Sequence, residues 1–387
     1  MGVYRYEFKK LFSSVAVWGF IAVCLLFNIF IAISNSGNKY ADFVGRISMD
    51  TGYNLNESFY EKLSHFKADD DDDKELLDVL KSDTDNVIDI LDGYETKGIG
   101  ESYIAASGAK GSFAKAMRDK YKELQKVVDE KAVKNESLSL YFGAATYDRH
   151  QQLFRGLTGW LLLEGALLTI LIVFLSVGYE NNHRTEALVY STKKGRRILG
   201  TKIIAALSAG LGTYVILAMI TFLVYFSFNN YGNIWGSNVS SVFNYRYDLI
   251  AGYRPFVTWH SYSVLSYLAS VIGMSVGLIL CFSLMAFSIS VLIRNSYIGF
   301  LVFLVINAAI VVLPIQMPQT LTAGLYAKYY SMLTPVWLWL KHSIWFTDGD
   351  VDILWPHFET LGFCISFLVL TTLCRFVTIY FRKRDLT

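Results

Sequence analysis

Charge is scarce in this chain. Of its 387 residues only 18% are charged, against 53% hydrophobic, and the formal net charge is +2. No basic surface of the kind that holds a nucleic-acid backbone is expected from such a balance. Cysteine is scarce too: Cys24, Cys281, Cys364 and Cys374 each lie inside an apolar run, at spacings that fit neither a metal site nor a disulfide framework. They read as small packing residues. The histidines are scattered, with no H-E-x-x-H helix and no paired ligands, and no G-x-S-x-G turn offers a serine nucleophile. The octet GRRILGTK at 195–202 approaches the phosphate-binding loop G-x-x-x-x-G-K-[ST], but it ends Gly, Thr, Lys, follows no strand and opens an apolar run. An enzyme has little to stand on here, and no cofactor or nucleotide site is expected in the chain itself.

What the sequence does have is length without charge. Crossing about 30 Å of hydrocarbon at 1.5 Å per residue takes roughly 20 apolar residues. Six stretches qualify: 15–34, 157–178, 203–228, 263–293, 297–313 and 358–381. The fifth is expected to stop at Leu313, because Pro314 and Pro318 oppose a helix. The fold class is therefore an all-α integral membrane protein, six transmembrane helices with a large, mainly helical extracytoplasmic domain between the first and second. The organisation expected is a lead helix at 1–14, the first span at 15–34, the extracytoplasmic domain at 35–156, and the rest of the bundle at 157–387.

Basic residues set the orientation. Arg5, Lys9 and Lys10 precede the first span; Arg184, Lys193, Lys194, Arg196, Arg197 and Lys202 fill the second connection; Arg382, Lys383 and Arg384 end the chain. Six spans place all three clusters on one side, and the positive-inside rule makes that side the cytoplasm, in agreement with Arg294 in a short connection. A multi-pass protein of the cell membrane with both termini cytoplasmic follows. The first apolar run is long for a signal peptide and reads as a retained span.

Ahead of it, Tyr4, Phe8, Leu11 and Phe12 recur at helical spacing beside basic residues, the pattern of a helix lying in the membrane surface. Residues 35–156 contain no Cys and no Pro, and helices are expected over 69–91 and 112–133, the latter with Phe113, Met117, Tyr121, Leu124 and Val128 on one face. The acidic run 69–73 lacks the spaced ligands of a calcium loop and reads as a solvated helix leader. TPVWLWLKHSIW, at 334–345, is apolar yet too short to cross, so it reads as a re-entrant or interfacial helix, with a buried core helix the competing reading. Trp235, Trp259, Trp337, Trp339, Trp345 and Trp355 in the long connections are expected at the headgroup level. Gly273 and Gly277 form a G-x-x-x-G that permits close helix approach. Glu164 and Glu359 are carboxylates near the outer ends of spans: either they line a path for a cationic substrate or they simply reach water.

One charged segment lies between two apolar runs: YENNHRTEALVYSTKKGRRILGTK, 179–202. Its residue order resembles the first cytoplasmic loop of the membrane subunits of type-2 ABC transporters, E-x-E-x-G-T-L-E-x-L-L-S-T-P-x-x-R followed by apolar residues and a Lys. Starting from Glu180, Thr185, Ser191, Thr192, Arg196 and Lys202 fall on matching positions with the apolar Leu188 between them, while Arg184 stands for the usual glycine and Lys193 for the usual proline. The resemblance extends to the plan of the chain and covers the large insertion only loosely. It implies a coupling helix that docks on a separate ABC ATPase subunit carrying ATP and Mg, and a second permease subunit, identical or paralogous. Leu188, Val189 and Tyr190 would supply apolar grip; Thr185, Glu186, Arg196 and Arg197 would supply register and partner choice. The resemblance also implies export, of an amphipathic substrate such as an antimicrobial peptide, a lipid or a drug, within a membrane of lipid that the chain itself contacts. The alternative is a membrane-embedded sensor or scaffold whose extracytoplasmic domain binds a ligand without transport.

Overall fold

The computed structural model describes residues 2–34, 37–68, 70–85, 87, 89–140, 144–191, 195–242, 255–293, 295–318 and 320–383, with 144–146, 196 and 242 described in backbone only. Asp69, Thr192, Lys193, Lys194, Arg294 and Arg384, and the Arg196 side chain, lie outside these. Among the described residues the chain is helical and free of strands, with a few isolated bridges.

Among the described residues, six helices are long and apolar enough to cross a membrane. In hydrocarbon a backbone must satisfy its own hydrogen bonds, so apolar runs of this length resolve into helices. The lead helix α1 (Gly2–Phe12) precedes the first span α2 (Val15–Ser34). The insertion supplies α3 (Lys39–Thr51), α4 (Glu57–His65), α5 (Asp71–Asp85), α6 (Lys97–Ser107) and α7 (Ser112–Val133). Then α8 (Ala144–Gln151) passes through a π turn, Gln152–Leu157, straight into the second span α9 (Thr158–Asn182). The short α10 (Glu186–Tyr190) leads to the third span α11 (Ile198–Phe228). After α12 (Val239–Val242) come the fourth span α13 (Val264–Leu292) and the fifth, α14 (Ser296–Gln316). Two helices, α15 (Thr322–Ser331) and α16 (Pro335–Leu340), precede the last span α17 (Phe358–Lys383).

Side-chain caps mark several starts. Asn38, Asn56, Ser263 and Asn295 each accept a backbone N–H of the first turn that follows. Asp70 does the same for the Asp73 N–H at 2.7 Å, so the acidic run opens α5, which stops at Asp85 rather than running on to Leu91. No group of three metal-ligating side chains occurs among the described residues.

In the bundle, α9 is central, packed on α11 and α13, while α17 lies against α13 and α2 against α11. The α9 and α11 backbones interlock: a Cβ on Gly165 would strike the Tyr214 ring and one on Gly210 would strike Thr169. In the G-x-x-x-G of α13 only Gly277 has a neighbour, Phe363 of α17, and Gly273 faces open space. The stripe of α1 packs on α11, with Leu11 buried and the Tyr4 hydroxyl 2.8 Å from that of Ser208. Cys24 and Cys281 are buried packing residues, but Cys364 is exposed.

The fifth span does not end at Leu313. Helix α14 continues to Gln316 with Pro314 inside it. Proline there deprives the Ile310 carbonyl of its usual N–H partner; the indole Nε1 of Trp337 donates to that carbonyl at 3.3 Å instead. Trp259 and Trp345 are likewise buried, donating to the Thr347 and Leu338 carbonyls at 2.7 and 3.0 Å, while Trp235, Trp339 and Trp355 are partly exposed. The segment 334–345 forms the six-residue α16 and a 3-10 turn, packed against α13, α14 and α17.

The insertion does not keep a core to itself. Phe43, Ile47, Phe59 and Leu80 join the same apolar cluster as the spans. Residues of α7, among them Met117, Tyr121 and Val128, share a second cluster with Trp259, Tyr329 and Leu354 from the connections between spans. Lys120 donates to the Ile353 carbonyl at 2.7 Å, and the buried pair Lys131–Glu136 (2.6 Å) also reaches the His260 carbonyl at 3.1 Å. Burial pushes the Lys131 ammonium below its ordinary value, against the pull of Glu136.

Candidate functional site

The charged segment 179–202 folds back under the bundle. Helix α9 runs to Asn182, and the Thr185 N–H returns to the Glu180 carbonyl at 2.9 Å across a turn made by Arg184. Arg184 sits at φ 56°, in the left-handed region that glycine enters freely and other residues at a cost. The five residues of α10 follow, and Gly195, at φ 47°, turns the chain into the 3-10 turn that opens α11.

Two anchors hold this segment. The first is a buried set of four charges drawn from three helices. Lys10 of α1 lies 2.9 Å from Glu7 and 3.1 Å from Glu180 of α9, with the Tyr179 ring 3.9 Å beneath its ammonium. Lys202 of α11 pairs with the other oxygen of Glu180 and donates to the Ser176 carbonyl at 2.7 Å. All four side chains are at most 5% exposed, so two acids and two bases balance with little access to water. Such a set is worth little net, yet removing one member strands a buried charge at about 3–5 kcal/mol. The second anchor is Tyr190, whose ring meets Phe381 of α17 edge-on at 5.6 Å.

Between the anchors Leu188 is 72% exposed. It stands on the lip of a groove of about 880 Å3 that runs between α1 and α10, with Tyr6, Glu7, Lys10, Glu180 and Val189 among its walls. The expected coupling residues thus divide. Leu188 and Arg197 face outward, Val189, Thr185 and Glu186 are partly covered, and Tyr190 is turned toward α17 rather than outward.

Glu164 and Glu359 lie on different seams and are not brought together. Glu164 is buried between α2 and α9 and accepts from Asn28 Nδ2 at 2.6 Å. Glu359 opens α17, is fully buried, and accepts from the Thr360 hydroxyl at 3.1 Å while its Oε2 has no hydrogen-bond partner. Neither side chain is at the surface.

Glu7 has no place in the sequence reading, which takes Lys10 as a flank charge and Lys202 both as a flank charge and as the closing Lys of the resembled loop. The available signal was Glu7 as the lone acid of the lead helix, together with Glu180 and Lys202 bordering facing ends of two apolar runs. With those two lysines paired, the outward basic residues at this end are Arg5, Lys9, Arg184, Arg197, Arg382 and Lys383 among the described residues.

No protein-family model, curated protein or solved structure matches the chain. The class that fold and composition define is a multi-pass, all-helical membrane protein.

Proposed function

We propose that the chain is the permease subunit of a type-2 ABC exporter, with 179–202 as the element through which a separate ATPase subunit moves the bundle. The observation that carries this is a short helix with an exposed leucine at its apex and both flanks fastened to the bundle. A displacement imposed at Leu188 passes to α9 and α11 through Glu180 and Lys202, and to α17 through Tyr190. ATP-driven work on a membrane bundle requires a stiff element gripped from outside. The left-handed Arg184 also keeps the bend that the resembling loops make with glycine.

ATP and Mg belong on the partner subunit, and the side carrying both termini is the cytoplasm. Only 22% of the apolar windows of α2, α14 and α17 is buried within the chain, so lipid and a second permease subunit cover the rest. The substrate class follows from the resemblance: an amphipathic peptide, lipid or drug moved outward.

Replacing Leu188 by Asp tests this. The variant keeps its insertion and thermal stability, because the side chain touches solvent, but loses ATP-driven uptake of a fluorescent amphipath into inverted vesicles. Reversing Arg196 and Arg197 to Glu has the same outcome. Full uptake in both variants contradicts the docking role. A sensor or scaffold has one observation in its favour, the tie from α7 to the residues before α17 through Lys120. It requires ligand binding without vesicle uptake.

A further inference from the structure

The six spans, α2, α9, α11, α13, α14 and α17, hold few acidic or basic side chains. Short of the last turn of α17 they are Glu164, Glu180, Lys202, Glu359 and Arg375. The first four are buried, and Arg375 is exposed. A charge at membrane depth is expensive, and such groups nearly always face the interior of a bundle. Arg375 does the reverse. On α17 the buried Ser366, Leu370 and Val377 mark the face packed in the bundle. At about 100° per residue Arg375 stands opposite them, on a stripe with Leu368, Thr371, Ile379 and Arg382, all exposed.

Arg375 lies about 12 Å inside the Lys383 end of the helix, at 1.5 Å per residue. Its backbone is thus within the hydrocarbon, yet the headgroup level is in reach of a long side chain that bends back toward that end. The Cα–Cβ bond of a helical residue tilts toward the N-terminus, here away from that end, so a counter-charge has to come down part of the way. Among the described residues no carboxylate pairs with Arg375. A second copy of the chain offers none from its spans, because Glu164, Glu180 and Glu359 are all buried. A two-fold contact centred on this stripe would also set Arg375 against itself. The bilayer is left as the source of negative charge. The same end of the molecule, fixed by the contact of Tyr190 with Phe381, is basic. Arg5, Lys9, Arg184, Arg197, Arg382 and Lys383 are exposed there, against a partly covered Glu186, among the described residues.

We propose that the outward face of α17 binds an anionic phospholipid of the leaflet at this end. Arg375 forks onto the phosphate oxygens, Arg382 lies beside the headgroup above it, and an acyl chain runs along Leu368. A zwitterionic lipid fits less well, because its own cation would sit among Arg382 and Lys383. The site does not depend on transport.

The test is native mass spectrometry of the full chain, purified in mild detergent and equilibrated with equimolar phosphatidylglycerol and phosphatidylcholine of identical acyl chains. The wild type retains the glycerol lipid about tenfold over the choline lipid. Arg375→Leu, which sets an apolar side chain against hydrocarbon, brings that ratio toward one. Arg5→Leu removes an equal charge from the same end and leaves the preference in place. Arg375→Lys keeps the charge, gives up the fork and lowers the ratio about threefold; it carries the test if the leucine variant fails to fold. Equal retention of the two lipids by the wild type overturns the proposal. So does a preference that survives Arg375→Leu, which places the lipid elsewhere, and one that falls equally in Arg5→Leu, which makes it a diffuse property of the basic end. A stoichiometric membrane protein that copurifies with the wild type and is lost from Arg375→Leu overturns it too, by giving Arg375 a protein carboxylate instead.

Discussion

Four charges, Glu7, Lys10, Glu180 and Lys202, are the groups this molecule can least leave unpaired. Lys202→Met is expected to destabilise by about 3–5 kcal/mol, since Glu180 loses one of its two buried cations, whereas Glu180→Gln with Lys202→Met recovers most of that loss. Thermal unfolding in detergent, followed for the singles and the double, measures this. Trp337→Phe is expected to cost about 1 kcal/mol by leaving the Ile310 carbonyl unmet, and hydrogen exchange localised to the end of α14 reads it. Neither pairing was legible in the sequence. Lys10 and Lys202 stand 192 positions apart and look like ordinary flank charges, and Pro314 looks like a helix stop until its missing N–H is seen to be offset by an indole from another helix.

At the scale of elements, the run lengths told the most. The six spans follow from hydrophobicity because hydrocarbon allows an isolated crossing segment little besides a helix, and α7 follows from apolar steps of three and four. Turns and short helices were harder. The bend at Arg184 depends on a backbone angle that sequence alone does not announce, and α16 on walls supplied by three spans. At the start of α17, the rings of His260 and His357 stack at 5.2 Å. Burial, then the neighbouring His260, holds His357 below its ordinary value, with Glu123 opposing. The unfolded chain therefore binds more protons here than the folded one between the folded value and about 6.5. Stability contributed by this junction is complete above that window and falls as pH drops through it. His357→Asn, which tolerates the left-handed φ of 50° at that position, is expected to flatten the melting temperature between pH 7.5 and 5.5. An unchanged slope excludes the pair as the source.

For the whole molecule, the insertion and the connections between spans form one cap, through the shared core of α7 with Trp259 and Tyr329 and the Lys120–Ile353 tie. Composition separated residues 35–156 from the spans but said nothing of which surfaces they share, since those contacts join segments more than a hundred residues apart. The opposite end presents α10, fastened on both flanks and bare at Leu188. The most direct test of what that end is for is the composition of the complex purified in mild detergent from the native host, weighed intact and identified by mass spectrometry. A protein with a true phosphate-binding loop, present at one copy per chain in the wild type and lost in Leu188→Asp, is the expected result. Reproducible absence of any ATPase from the wild-type complex, with the chain folded and inserted, contradicts the permease assignment.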